Sequence, residues 1–80
     1  MSAEEFARGK IRRELARIRL AQPDAETVRR EWRIANAKYV DHVSDGQGDP
    51  ANGAAILAYY VTRQAYAMYA DEIGIELEVE

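Results

Sequence analysis

Residues 50–73, PANGAAILAYYVTRQAYAMYADEI, decide how this chain folds, because apolar side chains nearly encircle the helix they predict. Asp49-Pro50 reads as an N-cap followed by proline at the first helical position, and Gly74 as the stop. Leu57, Val61, Ala65 and Met68 fall on one side with Ala54 and Ala58 beside them, while Tyr59, Tyr66 and Tyr69 lie toward another. A helix with so few polar positions belongs at the centre of a bundle or beneath another chain.

Working outward, Ser44-Asp45-Gly46-Gln47-Gly48-Asp49 has turn chemistry throughout and predicts a loop. Before it, Val28, Trp32, Ala35, Tyr39 and Val43 share one helical face at spacings of four, three, four and four, and Asp24 is placed to cap that helix. Gln22-Pro23-Asp24 separates it from an earlier helix whose stripe is Ala7, Ile11, Leu15 and Ile18. That first helix opens on Ser2 and Glu5, the spacing of a capping box. The expected architecture is all-α: a small three-helix bundle in one domain, with helices at about 2–21, 24–43 and 50–73 and helix 3 central. A short extended tail follows over 74–80, where Ile75-Glu76-Leu77-Glu78-Val79-Glu80 alternates at the period of a strand with no second strand to pair it. Such a tail frays, docks on the bundle by its apolar positions, or pairs with something outside the chain.

The 80 residues carry a formal charge of −3, yet that figure conceals a division. Residues 1–38 hold ten basic and six acidic groups, a net of +4, while residues 39–80 hold Arg63 against eight acidic groups, a net of −7. Either two surfaces of opposite sign are presented, or the two halves attract each other. The absence of cysteine excludes a disulfide framework and a thiolate zinc site, and fits a cytoplasmic location. No signal-peptide h-region is present, and the apolar run from Ala54 to Val61 is too short to span a bilayer.

Catalytic constellations are weak. His42 has Asp41, Asp45 and Asp49 nearby, but aligning a calcium loop on Asp41 puts Val43 and Asn52 at ligand positions. A histidine at a helix end suits the C-terminal dipole. Gly46 and Gly48 have neither the third glycine nor the Gly-Lys-Ser/Thr ending of a phosphate loop. Ser44 and His42, two apart, point to different helical faces, so no nucleophile–base pair forms. The chain reads as non-enzymatic, with no metal and no cofactor.

Two binding surfaces remain. Arg8, Arg12, Arg13, Arg17 and Arg19 rim the first helix together with Lys10, six cations in twelve residues that could contact phosphates or an acidic partner. Against a nucleic-acid role stand a pI near 5.2, no aromatics between the arginines and no helix-turn-helix spacing. Tyr59, Tyr66 and Tyr69 offer large amphipathic rings of the kind enriched at protein interfaces, with the alternative that they roof the core. Phe6, Leu20, Ile34, Val40, Ile56, Ile73, Ile75, Leu77 and Val79 fall outside the three stripes, a surplus that favours a homodimer or a bound partner. The expectation is a small cytoplasmic protein-interaction module (an adaptor, regulator or inhibitor) that binds through Tyr59, Tyr66 and Tyr69. The alternative is a nucleic-acid-binding regulator using the arginines of helix 1.

Overall fold

The computed structural model of the chain describes residues 2–44 and 50–77. They form three α-helices, α1 (Ala3–Ala21), α2 (Ala25–Ser44) and α3 (Pro50–Ile73), and no strand occurs among the described residues. The loop expected over 45–49, the Asp49 cap and the last three residues of the tail lie outside those described.

Local chemistry sets the helix ends. Ser2 has extended backbone, and its hydroxyl oxygen accepts from the Glu5 N–H at 3.2 Å. Asp24 does the same for α2, its carboxylate accepting from the Thr27 N–H at 2.8 Å and its carbonyl from Val28 at 2.9 Å. Gln22 adopts φ 47° just past α1, and its N–H donates to the Ile18 carbonyl. Gly74, at φ 75°, completes a Schellman motif on α3. Its N–H donates to the Asp71 carbonyl, and that of Ile75 reaches back to Ala70 at 3.0 Å. This turn folds the chain onto the helix, so Ile75 and Leu77 pack against the core. The Arg29 guanidinium holds the same segment by donating to the Glu76 carbonyl at 2.9 Å.

α3 packs closely on both other helices, whereas the backbones of α1 and α2 stay apart from each other. α1 runs parallel to α3, with Arg19 meeting Glu72 near their C-terminal ends. α2 runs antiparallel to it, with Asn36 opposite Arg63 and His42 opposite Asn52. The core gathers where all three approach: Leu15 and Ile18 from α1, Val28 from α2, and Ala65, Tyr66, Tyr69 and Ala70 from α3. Trp32 and Ile11 pack against its edge. With the backbones of two helices laid on a third but apart from each other, the molecule is a slab of 37 × 32 × 16 Å. Its radius of gyration, 13.1 Å, exceeds the about 11.6 Å of a compact chain of this length.

Candidate functional site

The charged halves meet at one side-chain fork among the described residues. The Arg19 guanidinium donates to both oxygens of Glu72, with Nε at 2.9 Å from Oε1. The pairing raises the pKa of Arg19 and lowers that of Glu72 below its usual 4.5. Asp24 is likewise held below 3.8 by its hydrogen bonds to Thr27. A carboxylate whose pKa is depressed on folding stabilises the native state at pH values above its unfolded pKa, and the contribution disappears as pH falls through the depressed value. Melting temperature is therefore expected to decline as pH drops below about 4.5. Glu72→Gln should lower the neutral-pH melting temperature and flatten that decline. Thermal melts followed by circular dichroism check both, and identical profiles for the two proteins would show that the fork contributes nothing.

The other arginines of α1 divide. Arg8 pairs with Glu4 at 2.7 Å, one turn back on its own helix. Arg17 pairs with Glu14, with Nε at 3.0 Å, and its charged form is favoured first by that carboxylate and next by the Tyr66 hydroxyl. Arg12 and Arg13 meet no carboxylate within ion-pair distance among the described residues. Of the five arginines singled out by the sequence, three are thus engaged with carboxylates.

The three tyrosines do not come together as one exposed face. Tyr66 and Tyr69 are core side chains, 7% and 8% exposed. Tyr59 is half-buried and stacks on His42, with ring centroids 5.4 Å apart and planes at 16°. Tyr66 and Tyr69 face the core where the helices approach, and Tyr59 faces α2.

The seam between α2 and α3 shows residues that sequence reasoning passed over. Asn52 clamps the end of α2: its Oδ1 lies 2.6 Å from His42 Nδ1, and its Nδ2 donates to the His42 carbonyl at 2.9 Å. Arg63 lies over the Tyr39 ring at 4.4 Å and near the Tyr60 ring at 5.8 Å, the two rings being 5.9 Å apart, and donates to Asn36 Oδ1 at 3.1 Å. Only the register of α2 against α3 creates these sets, so no motif announces them. Among the described residues no group of His, Asp and Glu could hold a metal; Asp45 and Asp49 lie outside them.

The most site-like feature is a cleft of about 670 Å³ between the N-terminal halves of α1 and α3. Its floor is a stripe of α3, Ala54, Leu57, Ala58 and Val61, at the i, i+3, i+4, i+7 spacing of one helical face. Its rim is α1, which contributes Lys10, Arg13 and Arg17 at matching intervals. Phe6 closes one end with the Lys10 ammonium 5.0 Å from its ring. The single carboxylate in the lining, Glu14, is the one already paired with Arg17, and α3 carries no charge from residue 50 to 62. The cleft is consequently apolar below and cationic at one edge. It exists because α1 and α3 are drawn together by the core at their C-terminal ends, and the backbone of α2 lies against α3 and stays apart from α1. Such a lining can bind an apolar body edged with negative charge.

No helix among the described residues is long and apolar enough to cross a membrane. Set against known proteins, the chain matches no protein-family model, no curated protein and no solved structure.

Proposed function

We propose that this chain is a non-enzymatic protein-interaction module, an adaptor, regulator or inhibitor that works by presenting a surface, and that the α1–α3 cleft is that surface. The observation that carries the reading is the cleft itself: an apolar helical stripe, exposed at Ala54 and Ala58, beside a row of cations, in a slab where α3 packs on both other helices. Apolar area rimmed by polar residues is the usual mark of a docking site on a small domain. Tyr66 adjoins this surface through its hydroxyl beside Arg17, whereas Tyr59 stacks on His42 of α2. A two-fold dimer belongs to the same reading, since Leu20, Ile34, Val40 and Met68 leave further apolar area exposed outside the cleft. The nucleic-acid alternative is weakened by the carboxylates that already occupy Arg8, Arg17 and Arg19.

The test is affinity capture from lysate, run with and without nuclease, comparing the parent with Ala58→Phe. Ala58 is exposed on the cleft floor, so a phenyl ring there fills the cleft without entering the core. Protein partners that survive nuclease and are lost from the variant are expected. An unchanged set of captured proteins would remove the cleft as the surface, and capture abolished by nuclease would favour the nucleic-acid reading.

A further inference from the structure

We infer that the cleft takes an acidic amphipathic helix from a partner protein: a helix whose apolar stripe lies on Ala54, Leu57, Ala58 and Val61 while its flanking Asp and Glu side chains meet Lys10, Arg13 and Arg17. This rests on the reading of the cleft as a docking surface and names what it docks.

Both walls of the cleft are helices, so the missing third element of their packing is a helix. The floor shows two small residues, Ala54 and Ala58, one turn apart and both exposed, between which a ridge of large side chains from another helix can settle. Leu57, half-buried, stands beside them as the side chain that can enter the partner's own groove, and Val61 closes the floor beneath. Floor and rim each run from i to i+7, about 10.5 Å or two turns of helix. That length accepts anchors at i, i+3 or i+4, and i+7, the spacing by which a helix is read in a groove.

Charge selects the kind of helix. Three cations against one carboxylate, itself paired, leave the rim at +2. Arg13, with no carboxylate of its own chain within ion-pair distance among the described residues, is the strongest selector. The same charge argues against a second copy of this chain. The described residues of its own α1 and α2 are Arg-rich, and joining two clefts face to face would set both sets of Lys10, Arg13 and Arg17 against each other.

The experiment uses fluorescein-labelled helical peptides of roughly 18 residues, five turns, titrated with the whole chain and read by anisotropy. One peptide carries Leu at i, i+3, i+4 and i+7 flanked by Glu. A second replaces Glu with Lys, and a third scrambles the acidic peptide so that composition is kept and the stripe is lost. The acidic helix is expected to bind at least about tenfold more tightly than either control, a difference of about 1.4 kcal/mol. Ala58→Phe and the double variant Lys10→Glu with Arg13→Glu should each weaken it by about tenfold or more while the helical circular dichroism of the protein is retained. Equal binding of the acidic and scrambled peptides would overturn the proposal by showing charge attraction alone. Equal or tighter binding of the basic peptide, lost in Ala58→Phe, would overturn the acidic partner yet leave the cleft as a docking surface. No binding of any peptide would overturn the helical occupant, and lysate capture that still depends on Ala58 would then separate that failure from failure of the broader reading. A molar mass in solution that falls from dimer to monomer in Ala58→Phe would assign the cleft to a second copy and overturn the proposal.

Discussion

Tyr66→Ala is expected to bring the protein close to its unfolding threshold at physiological temperature. The ring is 7% exposed among Leu15, Ile18, Val28, Ala65, Tyr69 and Ala70. Truncating a buried aromatic costs about 3–5 kcal/mol through lost burial and the cavity left behind. An 80-residue domain has about 4–12 kcal/mol in all. At about 4–8 °C per kcal/mol for a chain of this size, the melting temperature should fall by more than about 12 °C. Tyr66→Phe keeps the ring and removes only the hydroxyl beside Arg17, so its loss should stay within about 1.5 kcal/mol. The pair separates a core role from an interface role. If Tyr66→Ala melts with the parent, the ring is not part of the core. The contrast also warns that any partner capture lost in Tyr66→Ala has to be read together with its circular dichroism.

Ile18→Ala should act as strongly from the opposite helix. Ile18 is 1% exposed and faces the same cluster, and the expected loss is about 2–5 kcal/mol, or at least about 8 °C. Two residues on, Leu20 is 88% exposed, and Leu20→Ala should remain within about 0.5 kcal/mol of the parent. Urea unfolding curves give both values directly. Comparable losses at the two positions would mean that Leu20 is covered in solution, which is the behaviour of a chain whose α1 end is buried against another molecule.

The pattern of these two neighbours was legible in the sequence because it is local. Ile18 falls on the stripe with Ala7, Ile11 and Leu15, and Leu20 points away from it. The caps at Ser2 and Asp24 and the stop at Gly74 were legible for the same reason, each being the chemistry of a few adjacent residues. α3 is where reading along the chain loses its grip. A helix apolar nearly all round carries no phase, so periodicity could not decide which side its neighbours would take. Leu57, Val61, Ala65 and Met68 were expected to act together; the fold buries Val61 and Ala65, leaves Leu57 on the cleft floor and exposes Met68. The remaining buried positions went to Tyr66, Tyr69 and Ala70, nearer the turn that brings the three helices together. The cleft was illegible because it depends on two helices separated in sequence by the whole of α2 lying parallel, and the cations of α1 could be read only as a rim without a floor. The attraction between the charged halves was legible in sign but not in extent: among the described residues one fork, Arg19 with Glu72, carries it across the helices, while Glu4 and Glu14 answer arginines on their own helix.

That α1 and α2 lay their backbones against α3 and stay apart from each other makes the packing of both depend on α3. The first 44 residues contain two amphipathic helices with no tertiary partner, and helices of this length are marginal in water without one. Their apolar faces stay wet until Ala65, Tyr66, Tyr69 and Ala70 have been synthesised, and the core is not closed until Ile75 and Leu77 follow. The chain is therefore expected to unfold in one cooperative transition, which coincident melts by circular dichroism and tyrosine fluorescence would check.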